Sequence, residues 1–254
     1  MARWRDSRPI EPGVRRRPRR RSNLPSHEVI GQVVSVHAGA LRPLRHAGRE
    51  LASGIFKETI IGRASIDLAG IEGDCQGDPD HHGGPDRALC AYPREHLPWL
   101  TGQIGSEGGG APCGENLSTE GLLESGVAIG DRFRIGEVLV EVSVPRNPCH
   151  RLAARHAIRE LPLEMERCGR TGFLLRVLEP GTLAAGDRIV RIEHPSPWAT
   201  IAEANRLMHH DRLDRAGLRA MVELPRLAAS WRKTFARRLA TGACGDPSRR
   251  RYGE

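Results

Sequence analysis

The chain predicts a mainly β fold, a barrel or sandwich of short strands with a few peripheral helices, followed by a small three-helix module. Three observations carry this. Short β-type runs between residues 28 and 195 are broken repeatedly by glycine and proline; these runs do not alternate with long helices as βαβ units would; and beyond residue 196 apolar residues recur at helical spacing instead. At 254 residues the chain can bury a sizeable core without covalent staples.

In chain order, strands are expected over 29–36, 62–66, 87–92, 131–135, 138–144, 172–178 and 187–192. Two segments share one form, Ile129-Gly130-Asp131-Arg132-Phe133 and Ala185-Gly186-Asp187-Arg188-Ile189. Each reads as a tight Gly-Asp turn that delivers a strand. Helices are expected over 93–100, with proline at an early position, and over 149–157. After the proline hinge His194-Pro-Ser-Pro-Trp198 come three more, over 200–209, 213–224 and 225–239. Their stripes are Ile201, Ala204, Leu207 and Met208, then Leu218, Met221 and Val222, then Leu227, Trp231, Phe235 and Leu239. Thr200 with Glu203 forms a capping box at the first. Such a module is marginal alone, so it is expected to pack on the barrel or on a partner. The expected division is an Arg-rich disordered tail over 1–27, a barrel over 28–195, and the helical module with a basic tail over 196–254.

The net charge is +8, but residues 1–22 hold nine arginines against Asp6 and Glu11. That leaves +1 for the rest, too little for a nucleic-acid-binding body, which needs basic side chains clustered on the folded surface. Nucleic-acid contact is therefore expected only through the tail, if at all. Lys57 and Lys233 are the only lysines among 39 basic residues, which fits a GC-rich bacterial coding sequence. The N-terminus lacks the apolar core of a secretory signal, and no stretch approaches the roughly 18 apolar residues of a membrane span. A cytoplasmic protein with reduced thiols is expected. The six cysteines are scattered with no Cys-x-x-Cys, which argues against a structural zinc site.

The segment Glu141-Val-Ser-Val-Pro145-Arg146-Asn-Pro148-Cys149-His150 ends a strand at two prolines. Both lack an amide donor and restrict the residue before them, so a ladder cannot continue and Cys149 is held on a fixed loop. Beside Arg146 a thiol gains thiolate character, and a thiolate is a soft metal ligand. The plainer reading makes Cys149 one more small buried hydrophobe.

Five motifs lie in order: Gly54-Ile-Phe-Lys57-Glu58; Gly70-Ile-Glu72-Gly-Asp74-Cys-Gln76-Gly-Asp78; His82-Gly83-Gly84-Pro-Asp86-Arg87-Ala88; Gly114-Glu115-Asn116-Leu117; and Pro145-Arg146-Asn-Pro148-Cys149. Together they resemble the MOSC family, named after the C-terminal domain of molybdenum cofactor sulfurase. Within it they are most similar to the YiiM-like branch of hydroxylaminopurine-resistance proteins, over about residues 28–195. The helical remainder, with Ser230-Trp231-Arg232, is similar to that branch's three-helix domain. The family usually has an aromatic before Gly-Glu-Asn and a glutamine before Pro-Arg, where this chain has Cys113 and Val144.

The resemblance implies a MOSC-type β-barrel holding molybdenum cofactor, with Cys149 coordinating the metal and Glu72 and His82 facing it. From chemistry alone, Lys57, Arg87 and Arg146 supply positive charge for an anionic cofactor or substrate, while Glu72 and His82 supply proton-transfer capacity. Asn116 belongs with the cofactor-binding set. The expected reaction is reduction of N-hydroxylated compounds, such as hydroxylaminopurine-type bases and hydroxylamines, to amines. It consumes two electrons and two protons, with His82 as proton donor and Glu72 orienting it or relaying protons. The chain has no Gly-x-Gly-x-x-Gly fingerprint after a strand, so a separate electron-donating reductase is implied, with the helical module as a docking surface. The alternative is a non-enzymatic carrier of the cofactor, or of sulfur on Cys149.

Other readings stay open at single motifs. Glu72-Gly-Asp74 also reads as a polar turn, and the Asp78-to-His82 cluster has the ligand types of a divalent-cation site. His81 reads as a solvated loop residue. Gly108-Gly109-Gly110 lacks the Gly-Lys-Ser/Thr ending of a phosphate cradle and reads as a flexible loop, a candidate lid. His82-Gly83-Gly84 evokes an esterase oxyanion segment, but the chain has no Gly-x-Ser-x-Gly. Cys75, Cys90, Cys113 and Cys168 read as packing residues, Cys244 as exposed, and Trp99, Trp198 and Trp231 as packing anchors.

Overall fold

The computed structural model describes residues 28–78, 83–105 and 110–253. The tail over 1–27, most of the triple-glycine loop, and Asp80, His81 and His82 lie outside the described residues. The strands are β1 Glu28–Ala38, β2 Arg42–His46, β3 Arg49–Ser53, β4 Glu58–Thr59, β5 Arg63–Asp67, β6 Gly70–Ile71, β7 Leu89–Pro93, β8 Leu117–Glu120, β9 Arg132–Ile135, β10 Val138–Pro145, β11 Phe173–Glu179, β12 Gly181–Ala184 and β13 Arg188–Glu193. The main sheet runs β13-β9-β10-β11-β7-β8-β1, and β1 pairs with β13, so seven strands close on themselves. Closure leaves these strands without a free edge to pair with other chains. Only β7 and β8 are parallel in it.

Period-two alternation fills the interior. Val140 stands opposite Phe133 on one side and Val177 on the other, and Val142 opposite Leu175; all are buried. Both faces of β10 are covered, which is why it reads as a nearly unbroken apolar run. Its outward Glu141 is held between cross-strand neighbours Arg132 (3.0 Å) and Arg176 (2.8 Å), with Arg226 of the helical module at 3.4 Å.

The two Gly-Asp turns are alike in detail. Gly130 and Gly186 have φ of +87° and +88°. The carboxylates of Asp131 and Asp187 accept the amides of Ala128 (3.0 Å) and Ala184 (2.9 Å), three residues back.

Helices α1 Leu97–Ile104, α2 His150–His156 and α3 Leu161–Cys168 flank the barrel. The helix expected from residue 93 begins later. Pro93 ends β7, and Arg94–His96 makes a 3-10 turn first. The C-terminal module contains α4 Ile201–Asn205, continued by a π-helical turn over Arg206–His210, then α5 Arg215–Val222 and α6 Ala229–Thr241. The Thr200 hydroxyl accepts the Glu203 amide (3.0 Å), as the capping pattern requires. Ile201, Leu207, Leu218, Met221, Trp231 and Phe235 join the same buried cluster as the barrel core, and Ala228 N donates to Ser143 O of β10 (3.1 Å). The module therefore packs on the barrel. A short last helix, α7 Ser248–Tyr252, was not expected. It returns to the barrel through Arg250 and Arg251, which pair with Glu166 of α3.

Trp198 departs from expectation: it is 48% exposed because the hinge around it runs over the surface, so it is no packing anchor. Cys244 is half-buried, its thiol 3.8 Å from Arg212 O. Cys75 and Cys168 are exposed rather than packed. No helix among the described residues is long and apolar enough to cross a membrane.

Candidate functional site

At the end of β10, where Pro145 stops the ladder, a cavity of about 540 Å³ opens between barrel loops, the helical module and the C-terminal segment. Cys149 lines it at 6% exposure, as the residue immediately before α2, with extended backbone. Arg146 is fixed by its backbone amide to Gly172 O (3.0 Å) and by Nη2 to Cys113 O (2.6 Å). Its Nη1 is buried with no hydrogen-bond partner, and so is Oδ1 of neighbouring Asn147. Buried polar groups are normally paired, so two orphans in one cavity mark positions where a ligand belongs.

The opposite wall comes from two loops that touch backbone to backbone. A Cβ at Gly54 would overlap the carbonyl of Cys75, and one at Gly77 the carbonyl of Ala52. Only glycine permits that approach. The packing brings Lys57 against Asp74, an ion pair with both side chains 7% exposed. Asp74 further accepts the Gly39 amide (2.9 Å) and Asn116 Nδ2 (2.9 Å).

Of the residues expected at the site, Cys149, Lys57, Arg87, Asn116 and Arg146 all line this cavity. Asn116 does so as a strut, since its amide is used up by Asp74, His37 O (3.2 Å) and Cys90 N (3.0 Å). Arg87 donates to Ser230 Oγ of the helical module (3.2 Å). Glu72 is different. It is exposed, its amide donates to Ser65 O (3.0 Å), and it is absent from the lining; two residues on, Asp74 occupies the wall instead. The cause is the turn at Gly73, whose φ of +81° reverses the chain between them. His82 lies outside the described residues, although Asp78 and Arg87 on either side of it both line the cavity.

Cys75, Cys90 and Cys113 also line the cavity. Burial pushes the thiol of Cys90 up to about 11 and that of Cys113 up to about 12, so both are neutral near pH 7. Glu115, fully buried, accepts Cys113 N (2.9 Å) and Ser118 Oγ (3.1 Å), and burial raises its pKa despite these bonds and nearby Arg146. No group of three or more His, Cys, Asp or Glu residues among the described ones could hold a metal ion; of the Asp78-to-His82 cluster, Asp80, His81 and His82 lie outside the described residues. Sequence reasoning missed Asp74, Arg151, Arg249 and Arg250, which line the cavity, and did not place Trp231 there. Arg249 and Arg250 gave no signal beyond a basic C-terminus.

The MOSC domain model matches residues 78–190, and the YiiM-like 3-alpha helix domain model matches residues 200–242. Protein YiiM of Escherichia coli is 37% identical over 205 residues, covering 80% of this chain and 91% of that protein. The chain belongs to the MOSC family, in its YiiM-like branch. The crystal structure of Escherichia coli YiiM superposes on this MOSC chain with a TM-score of 0.73 at 33% identity, covering 88% of this chain and 99% of the other. YflK of Bacillus subtilis is 34% identical over 206 residues, 81% of this chain and 93% of that protein. A protein named Reductase from Gibberella moniliformis is 32% identical over 200 residues, 77% of this chain but 35% of its own length. The MOSC match spans the cavity wall from Asp78 to beyond Cys149, and the 3-alpha match contains Trp231.

Proposed function

We propose that the protein is a molybdenum-cofactor-dependent reductase of N-hydroxylated compounds, converting hydroxylaminopurine-type bases and hydroxylamines to amines. The observation that carries this reading is the buried Cys149, set beside Arg146 in a cavity with six lining Lys and Arg side chains against three lining carboxylates. The residues present fit the cofactor. A thiolate at Cys149 is the soft ligand such a metal takes, and the unpartnered Arg146 Nη1 and Asn147 Oδ1 suit the polar edge of a pterin. When bound, the cofactor supplies two-electron transfer to the N–O bond.

The chain's own residues do the rest. Arg146 and Lys57 hold an anionic ligand in place, and Trp231, 3% exposed, closes the cavity from the module side. Cleavage of N–O with release of water consumes two protons, and His82 is the proposed donor, on the segment between Asp78 and Arg87. Glu72, exposed and outside the cavity lining, is not proposed as its partner. Electrons come from a separate reductase. The name of the Gibberella relative supports reductive chemistry. A sulfur carrier would have to present its thiol to a macromolecular client, and 6% exposure of Cys149 favours the enzyme.

The test compares wild type with Cys149→Ala, both purified anaerobically, for molybdenum and pterin content and for reduction of 6-hydroxylaminopurine by an artificial donor. The variant is expected to fold, to lack molybdenum and to be inactive. Undiminished reduction by Cys149→Ala would remove the metal-ligand role, and release of cofactor to an acceptor without turnover would establish the carrier.

A further inference from the structure

Cys149 sits where the chain has little local structure to hold it. β10 has ended at Pro145, Pro148 has no amide to donate, and α2 starts only at His150. On the α2 side the Cys149 carbonyl is fixed by the amide of Leu152 (2.9 Å). On the other side the Pro148 carbonyl, past the end of the ladder, still needs a donor, and a guanidinium N–H of Arg250 supplies it from 102 residues away in sequence.

Arg250 also holds the residue after Cys149. Its own carbonyl accepts Nδ1 of His150 (3.3 Å). His46, whose ring centroid lies 5.1 Å from that of His150, donates to Tyr252 O (2.6 Å). Gly253 packs so tightly here that a Cβ would come within 2.7 Å of His46 Nε2 and 3.3 Å of His150 Cγ. The Nη2 of Arg250 pairs with the buried carboxylate of Glu166 in α3 (2.6 Å). One residue thus ties a buried anchor to both neighbours of the cavity thiol.

This clamp belongs to a segment beyond both matched family models, which end at residues 190 and 242. Within it, α7 has no buried residue, so polar contacts rather than apolar packing keep it in place. Elements held in that way open at lower cost than the core.

We propose that Arg250 is a positioning residue for Cys149, holding the Pro148 carbonyl and the His150 ring so that the thiol keeps one place in the cavity and is released when α7 detaches. The inference deepens the reductase reading and rests on it only for Cys149 being the reactive thiol. A ligand atom fixed beforehand binds more tightly, because its ordering cost is met before the ligand arrives.

The experiment uses the full chain free of cofactor and follows alkylation by iodoacetamide. Peptide mass separates Cys149 from Cys113, which lines the same cavity. Arg250→Ala is expected to speed alkylation of Cys149 about tenfold, the worth of one charge-assisted hydrogen bond in the closed state, and to leave Cys113 unchanged. Glu166 keeps Arg251 and His209 (3.3 Å) in that variant, so the protein folds. Arg250→Lys falls between wild type and Arg250→Ala, because a single ammonium cannot span two acceptors as a guanidinium fork does. Arg251→Ala is the matched control. Arg251 pairs with the same carboxylate (Nε at 2.9 Å), so its loss loosens α7 without removing the bond to Pro148, and Cys149 stays close to its wild-type rate.

Made in a cofactor-producing host, Arg250→Ala is expected to lose molybdenum and pterin several-fold faster than wild type on dilution. Unchanged alkylation of Cys149 in Arg250→Ala, an equal rise at Cys113, or an equal rise in Arg251→Ala overturns the proposal. Faster alkylation with unaltered cofactor retention would instead remove the metal-ligand role of Cys149 and leave the clamp standing, so the two failures are read apart.

Discussion

Lys57 and Asp74, seventeen residues apart in sequence, form an ion pair with both side chains 7% exposed in the cavity wall. Burying two charges repays its desolvation cost only where the remaining donors and acceptors are satisfied, and Asp74 meets that condition through Gly39 N and Asn116 Nδ2. Breaking the pair from one side strands the other charge. Lys57→Met and Asp74→Leu are each expected to lower unfolding free energy by about 3–5 kcal/mol, whereas the double variant loses much less than their sum. Urea unfolding of the four proteins checks this; additive losses would show that the pair is not coupled.

Two buried groups give acid sensitivity in separate windows. Burial, with Lys57 and Arg155 nearby, lowers the pKa of His37 to about 4, and its ring is bonded to Ser35 (2.8 Å), Ser118 (3.2 Å) and Thr59 (3.2 Å). The unfolded chain takes up that proton first, so stability falls as pH drops from about 6.5 to about 4, by about 3 kcal/mol. Glu166 moves the other way. Burial would raise its pKa, but His209, Arg251 and Arg250 overcome that and hold it at about 2. Its contribution is present above the usual carboxylate value and is lost as pH falls from about 4.5 to about 2. His37→Gln is expected to flatten only the first limb of the stability profile, and Glu166→Gln only the second. A single acid transition unaffected by both variants would contradict these assignments.

What the sequence disclosed, and what it hid, follows from the physics of each element. β10 was legible because its buried run is rich in valine, β11 because apolar residues carry its alternating buried positions Phe173, Leu175 and Val177, and the Gly-Asp turns because positive φ selects glycine. The hairpin β2–β3 was not, since Arg42-Pro-Leu-Arg-His alternates weakly and turns through Ala47-Gly48 at φ of 48° and 74°, without the usual Asn-Gly or Asp-Gly. Leu117-Ser-Thr-Glu120 has too few apolar residues to announce β8. At the site, Cys149 and Arg146 could be read from the prolines that fix them. Asp74 was passed over for Glu72 because the turn at Gly73 decides which carboxylate faces inward. Arg249 and Arg250 come from some hundred residues away in sequence, and no local pattern reports that distance.

Glu141 ties the helical module to the barrel. Its buried carboxylate faces Arg132, Arg176 and Arg226, and Arg226 also donates to Gly130 O (3.0 Å). Glu141→Ala leaves three guanidiniums crowded around an empty position and is expected to cost about 3 kcal/mol or more. Because the pair Arg226–Glu141 crosses between the two parts, amide exchange over Ala229–Thr241 is expected to accelerate more than exchange in β7 and β8. Equal acceleration everywhere would mean that Glu141 supports the barrel alone.

The cavity wall depends on a residue with no side chain. At Gly54 the backbone runs against the carbonyl of Cys75, and the reciprocal contact at Gly77 meets the carbonyl of Ala52, so neither loop can retreat without moving the other. An added methyl at Gly54 must push the Cys75 loop outward, and that loop carries Asp74, the partner of Lys57 and Asn116. Gly54→Ala is therefore expected to cost about 2–3 kcal/mol by overpacking and, separately, to weaken ligand binding in the cavity. Gly48→Ala is the matched control. Gly48 has positive φ, of 74°, which Gly54 does not, and a methyl there meets nothing, so it carries backbone strain without displacing the wall. Loss of stability in both variants with loss of ligand binding only in Gly54→Ala is the expected pattern; parallel loss of binding in Gly48→Ala would assign the effect to general destabilisation and not to the contact with Cys75.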